Sequence, residues 1–326
     1  MSALSAKPEL LTPSLPAETP PWEVHKFGGA SLATAALYVQ CSDLLKAESA
    51  SSVGEGGRYK PTMAIVSAKG GVTDKLIAVV SAARDDIEEA ERLLRVVANE
   101  QIEVTREIAS EEVAARVEAA VRADEKDILM VIRSPSISSN PDCPPWYGLY
   151  VQVGVEPLWQ PSSERVNSWW ESQKELLELD YSKGAPIVVV TGFVAATVEG
   201  TPTTLKRSGS DYSATIFARL MGASRITMWK NVDGVYTADP RRVPEAFPIE
   251  SLKYDEAIEL AYFGAQATPL PACPLSAVLH PSAMMPCIEG NIPIYVRNVF
   301  NPSHPGTVIE GRACSMSDGA LTWAEQ

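Results

Sequence analysis

The chain has 326 residues, 45% hydrophobic and 21% charged, the balance of a globular protein with a sizeable core. A formal net charge of −13 sets the surface against nucleic acid and anionic membranes, and confines any polyanionic ligand to a locally basic pocket. No run approaches the roughly 18 apolar residues of a membrane span, and five scattered cysteines without CxxC spacing (Cys41, Cys143, Cys273, Cys287, Cys314) read as reduced thiols rather than a disulfide framework.

In chain order, residues 1–21 are rich in Pro and Ser and carry Glu9 and Glu18 but no Arg, which predicts a disordered leader and makes a poor transit peptide. Order is expected from Trp22: a strand over 22–27 ends in Gly28-Gly29, and a helix follows Ser31. A Gly/Ser loop covers 51–60, MAIVSA (63–68) is a strand ending at Lys69-Gly70-Gly71, and a helix starts near Thr73. The Glu-, Arg- and Ala-rich stretch from Asp85 to Ile132 predicts two or three surface helices laced with charge pairs. Residues 134–163 hold many prolines and glycines and have no clean period. A Trp/Glu-rich helix is expected near 164–179, PIVVVTGFVAA (186–196) as one buried strand, and SDYSATIFARLMGA (210–223) as a helix. RITMWK (225–230), a helix over 254–265 and a strand over 292–299 complete the series. Strands alternating with helices argue for an α/β protein with a mostly parallel central sheet covered on both faces.

Three glycine turns follow apolar strands: Lys26-Phe27-Gly28-Gly29, Ser67-Ala68-Lys69-Gly70-Gly71 and Thr191-Gly192-Phe193. Ligands of open α/β sheets collect beyond the carboxyl ends of strands, where glycine lets backbone N–H groups approach phosphate oxygens. Lys26 and Lys69 would add point charge there. No GxxxxGK[ST] or GxGxxG is present, so neither a Walker loop nor a Rossmann dinucleotide site is indicated. The densest signal is TTLKRSGSDYSA (203–214) leading to WKNVDGVYTADPRRV (229–243). Arg207 could clamp a carboxylate in a bidentate fork, and Asp211 could cap the helix or receive a substrate ammonium. Tyr236 could pack on a purine and Arg241 could reach its phosphates. His25, His280 and His304 are dispersed and read as ordinary hydrogen-bonding residues, and Trp169-Trp170 as core and rim packing.

These blocks resemble the catalytic domain of aspartate kinases, within the amino acid kinase family. KFGGAS (26–31), VSAKGGVTDKL (66–76), TGF, TTLKRSGSDYSA, WKNVDGVYTADPRRV, EAIELAYFGAQ (256–266), VLHPSAMMPCIEGNIPIYVRN (278–298) and NPSHPGTVI (301–309) stand in the family's order across most of residues 22–310. The spelling is similar to plant- and alga-type or bifunctional aspartokinase–homoserine dehydrogenase enzymes. The resemblance implies a three-layer αβα sandwich over 22–312, and ATP-dependent phosphorylation of the β-carboxylate of L-aspartate with Mg²⁺, opening lysine, threonine, methionine and isoleucine biosynthesis. In that reading Lys26 stabilises the transferring phosphoryl group and Gly28, Gly29 and Ser31 cradle it. Ser67, Thr73, Phe193, Arg207, Ser210 and Asp211 surround aspartate, while Lys230, Asn231, Tyr236, Arg241 and Gln266 line the nucleotide. A homo-oligomer stays open, and the implied location is cytoplasmic, or plastid in a plant or alga.

Three departures accompany the resemblance. The family's Ser-Gly-x-Gly-Glu segment, whose Glu receives the aspartate ammonium, has no counterpart between RSPS and RVNSWW, where Glu156 is a conceivable stand-in. ATPLPACPLSA (267–277) interrupts YFGAQ and VLHPSAM, and Lys230-Asn231 replaces a Thr-Asp pair. After the tail 313–326 no regulatory ACT domain is expected. The departures leave an alternative, an impaired member or mis-assembled gene product that binds ATP but not aspartate.

Overall fold

The computed structural model describes residues 10–16, 19–51, 58–133, 157–197, 200–205, 208–266 and 279–311. In chain order its elements are β1 (Glu23–Phe27), a 3-10 turn (Gly29–Leu32), α1 (Ala35–Ala50), β2 (Thr62–Val66), α2 (Val72–Asp85), α3 (Ile87–Ile108) and α4 (Glu111–Ile132). Next come α5 (Trp159–Ser172), α6 (Lys174–Leu177), β3 (Ile187–Thr191), β4 (Val194–Ala196), β5 (Pro202–Thr204), α7 (Gly209–Leu220) and β6 (Arg225–Lys230). The chain closes with β7 (Ser251–Lys253), α8 (Tyr254–Gln266), α9 (Pro281–Gly290), β8 (Ile294–Asn298) and β9 (Thr307–Glu310). The main sheet runs β3-β2-β1-β6-β8-β9-β7. Its pairings are parallel except β8–β9, so this is the expected mostly parallel α/β sheet.

Side chains alternate across a strand, and that period divides the core. Val24, Met63, Ile65, Ile226 and Met228 face one way and pack with Ala214 and Ala218 of α7 and Ala283 and Met284 of α9. Phe27, Ala64 and Trp229 face the other way, against Cys41 and Leu45 of α1. Helices therefore cover both faces, which is the three-layer arrangement expected. Small residues on the buried stripe of α7 let that helix approach the sheet closely, and Thr34 caps α1 through its side chain to the Leu37 N–H.

The α1 face also buries charge. Glu23 of β1 meets Lys60 at 2.7 Å and Arg225 at 2.9 Å, and Glu48 of α1 meets Arg225 at 3.0 Å and Arg297 at 2.5 Å. His25, fully buried beside them, accepts from Trp229 Nε1 at 3.2 Å. Burial, then the neighbouring Arg225, Lys60 and Arg297, push its pKa down to about 3, so it is neutral at ordinary pH.

Two expectations change. Part of the leader has a defined place: the Leu11 carbonyl accepts from Ser163 and Asn167 of α5, the Ser14 carbonyl accepts from Trp170 Nε1 at 2.9 Å, and Leu15 packs on the core. Trp170 is fully buried and needs an acceptor for its indole N–H, and the leader's backbone supplies it. Residues 186–196 are not one buried strand. β3 is the sheet's edge and alternates exposed with half-buried positions, and after Gly192-Phe193 the chain leaves the sheet into the β4–β5 hairpin. Elsewhere boundaries shift by a few residues, and the helix expected at 164–179 is the pair α5 and α6. His280 caps α9, accepting from the Ser282 N–H, and Trp169 is exposed beside buried Trp170. Cys41 and Cys287 are free and buried. All of 134–156, 267–277 and 313–326 lie outside the described residues.

Candidate functional site

Parallel strands aim their carboxyl ends at one edge, so the register of β1, β2, β3 and β6 brings the three glycine turns together there. The turns touch. A Cβ on Gly29 would stand 3.0 Å from the Ala68 carbonyl oxygen and 3.4 Å from Gly70 Cα, and one on Gly70 would stand 2.9 Å from the Gly29 oxygen. A Cβ on Gly192 would meet Ser210 and Ile65, at 2.9 and 3.0 Å. Only glycine allows this closeness. Ser67 donates its N–H to the Phe27 carbonyl at 3.1 Å, tying the second turn to the end of β1.

Helical segments start at the first two turns, and α7 starts beside the third, without a side-chain cap. That holds for the 3-10 turn at Gly28, for α2 at Gly71 (φ 81°) and for α7 at Ser208 (φ 59°). Sequence left Asp211 open as the cap of α7 or as the acceptor of a substrate ammonium. It lies inside the helix and turns its carboxylate to other partners. Uncapped N–H groups carry the positive end of the helix dipole, so this edge of the sheet suits an anion.

At the centre is a buried ionic triad. Lys26 of β1 and Lys230 of β6 project to the α7 side of the sheet, since Lys26 pairs in register with Met228 and Lys230 is two residues further. Asp211 of α7 receives both: Lys26 Nζ at 2.6 Å, and Lys230 Nζ at 3.0 and 3.2 Å from its two oxygens. Burial alone would push the Asp211 carboxyl up, but Lys230 and Lys26 outweigh it and hold it below the ordinary range. Burial pushes the Lys230 ammonium down against the opposing pull of Asp211. Two ammonium groups against one carboxylate leave a net positive pocket in an acidic protein. The first turn curls over it, since a Cβ on Gly28 would lie 3.4 Å from Lys26 Nζ.

Phe193 stands at the rim, 41% exposed with φ 79°. Its N–H donates to Ser213 Oγ at 2.9 Å, its carbonyl accepts from Leu205, and its ring lies against Gly209. An exposed aromatic in left-handed backbone is doubly unfavourable for stability, a pattern that clusters at functional sites.

The structure thus gathers Lys26, Gly28, Gly29, Ser31, Ser67, Phe193, Ser210, Asp211 and Lys230 around one edge. Thr73 is exposed in the first turn of α2, and Asn231 is exposed just past β6. Tyr236 is half-buried and bridges to Pro248, its phenol pushed up by burial and by Asp233. Arg241 is exposed and held by Asp239 at 3.0 Å. Arg207, the Gln266 side chain and Glu156 lie outside the described residues. Sequence reading did not find the mutual pairing of Lys26, Asp211 and Lys230. Among the described residues no three His, Cys, Asp or Glu side chains gather as a metal site, and no helix is long and apolar enough to cross a membrane.

The model of the amino acid kinase family matches residues 21–298. Bifunctional aspartokinase/homoserine dehydrogenase 1, chloroplastic, of Zea mays is 31% identical over 317 residues, covering 88% of this chain and 32% of that protein. Aspartokinase 3, chloroplastic, of Arabidopsis thaliana is 46% identical over 144 residues, 44% of this chain and 24% of its own. The chain thus spans about a third or less of these relatives' length. Among solved structures, E. coli aspartokinase III in complex with lysine and aspartate superposes with a TM-score of 0.64 at 22% identity, covering 90% of this chain and 65% of that one, a likeness of fold. With the family model covering every strand of the sheet but β9, the glycine turns and the triad, the chain belongs to the amino acid kinase family.

Proposed function

We propose that this chain is an aspartate kinase catalytic domain, transferring the γ-phosphoryl group of ATP to the β-carboxylate of L-aspartate to give 4-phospho-L-aspartate. The observation that carries the reading is the net positive Lys26–Asp211–Lys230 triad enclosed by glycine turns and uncapped helix starts. The names of the relatives support the choice of acceptor. One names two activities and the other names aspartokinase alone, so the kinase is what the two names share. The chloroplastic relatives favour a plastid if the source is a plant or alga.

A carboxylate is already a nucleophile at neutral pH, so no general base is needed. A carboxylate oxygen forms a bond to the γ-phosphorus while the bridging oxygen leaves with its electron pair on ADP. The chain's task is to align the reactants and neutralise charge. Lys26 would meet the transferring group and Lys230 the departing phosphates, with Asp211 fixing both ammoniums. Gly28, Gly29 and Ser31 would line the phosphates. Phe193, Ser210 and Arg207 would border aspartate, with Ser67 and Thr73 beside them, and Asn231, Tyr236, Arg241 and Gln266 would lie toward the nucleotide. Mg²⁺ would come with the nucleotide, carried by its phosphates rather than by Asp211, which two lysines already satisfy, and would supply further charge neutralisation there.

The test is a hydroxamate assay, in which hydroxylamine traps the acyl phosphate, run with ATP and L-aspartate beside ATP calorimetry. Turnover is expected, and Lys26→Ala should lose several kcal/mol in kcat/KM, about a thousandfold. Near-normal turnover of that variant would sink the assignment. ATP binding without turnover in the unaltered chain would select the impaired member that holds nucleotide alone.

A further inference from the structure

The second glycine turn carries a cation outside the triad. Lys69 stands between Ala68, whose carbonyl touches Gly29, and Gly70, which packs on the same residue, so its backbone belongs to the two joined turns. Its side chain is 13% exposed, and its ammonium lies 4.0 Å from Oε2 of Glu100 in the middle of α3. That is attraction without a hydrogen bond. Glu100 Oε2 is buried and has no hydrogen-bond partner among the described residues. The other oxygen, Oε1, is hydrogen-bonded to Lys75 of α2.

The arrangement is lopsided. Glu100 holds one lysine firmly and the other only by charge. Lys69 keeps its three N–H donors, on a flexible four-carbon stem, at the turn where phosphate oxygens are expected. If Lys69 swings away, Lys75 stays on Oε1, so Glu100 is not left as an uncompensated buried charge.

We infer that Glu100 is a positioning residue of the phosphate site: it parks Lys69 against α3, the triphosphate of a bound nucleotide draws Lys69 off, and the competition sets nucleotide affinity. This rests on the reading of the edge as a nucleotide site. Lys69 then makes charge-assisted hydrogen bonds to phosphate that it does not make to Glu100.

The test is a double-mutant cycle on the full chain, reading the dissociation constant of MgATP by calorimetry and the melting temperature of each variant. Glu100→Gln should tighten MgATP about three- to fivefold, the strength of a partly exposed ion pair. Lys69→Met should weaken it about tenfold or more. In the Lys69→Met background, Glu100→Gln should change nothing, because no parked lysine is left to release. Equal tightening in both backgrounds would show bulk charge removal and overturn the inference. So would a Glu100→Gln variant that melts lower with unchanged affinity, which is a purely structural pair. If the unaltered chain binds no MgATP, the nucleotide reading falls with it. Binding that Glu100→Gln leaves unchanged overturns the inference alone.

Discussion

Asp211→Asn removes the one charge that reconciles Lys26 with Lys230. In the native protein its carboxylate is 2.6 Å from one ammonium and 3.0 Å from the other, and all three side chains are largely buried. An amide keeps the shape but leaves two like charges in a desolvated pocket. Breaking a buried pair from one side costs about 3–5 kcal/mol, and for a domain of this size that is a fall of roughly 10 °C in Tm. The relief open to the variant is loss of a lysine proton. Its folded lysine pKa is then depressed, the unfolded chain binds more protons, and stability rises with pH below the ordinary lysine value near 10.4. Urea unfolding at pH 7, 8 and 9 should therefore show a variant that narrows its deficit as pH rises. Adding Lys230→Met should restore at least half the lost stability without restoring turnover. A single variant within about 1 kcal/mol of the native protein, or a double variant weaker than the single, would refute the account of the triad.

Gly70→Ala drives a Cβ to 2.9 Å from the Gly29 carbonyl oxygen, so the first two turns must part; a loss of about 1–3 kcal/mol and at least a tenfold weaker MgATP affinity are expected by calorimetry, with Gly184→Ala, which meets nothing within 4 Å, as the silent control. Phe193→Gly relieves the left-handed strain and should leave the protein as stable or up to about 1 kcal/mol more stable, while raising KM for aspartate; a Tm loss with normal KM would make Phe193 structural. For His25 the sign follows from the depressed pKa. The unfolded chain takes a proton below about 6.5, the native protein only near 3, so stability falls as pH drops through that window. His25→Gln should flatten the slope of unfolding free energy between pH 4.5 and 6 by about 1 kcal/mol per pH unit, and an unchanged slope would place the acid sensitivity elsewhere.

Much of the sheet was legible because its central strands are apolar runs bounded by glycine, and β6 falls on RITMWK as expected. The edge was not. Ile187 and Val189 read as buried but are exposed, because β3 has a neighbour on one side only, and edge position is a property of strand order rather than of composition. The short β7 and β9 were missed because three- and four-residue strands show no period. At the site, local signals gave each glycine turn, but they could not give the triad. Lys26 read as a phosphate ligand, Lys230 as a nucleotide contact and Asp211 as a helix cap or ammonium acceptor, since one sequence does not say that the two lysines share a carboxylate. The opposite error arose at the leader, where proline and serine composition hid a segment whose backbone carbonyls complete α5.

The central place of β1 has a consequence for biosynthesis. Its neighbour β2 follows within forty residues, but Glu23 pairs with Arg225, 202 residues later, and the leader's Leu11 waits 152 residues for Ser163. At about 5–20 residues per second, a nascent chain spends on the order of ten seconds or more with one edge of β1 open, along with the apolar Val24 and Phe27. Such late, distant pairings also slow folding in general. Lys26 is synthesised early, yet its partner Asp211 emerges only shortly before β6 covers the open edge of β1. Closure of the second edge of β1 and charge balance of the pocket are thus nearly one late event, and a chain released before α7 would hold the first glycine turn and its lysine with no carboxylate partner and one edge of β1 open.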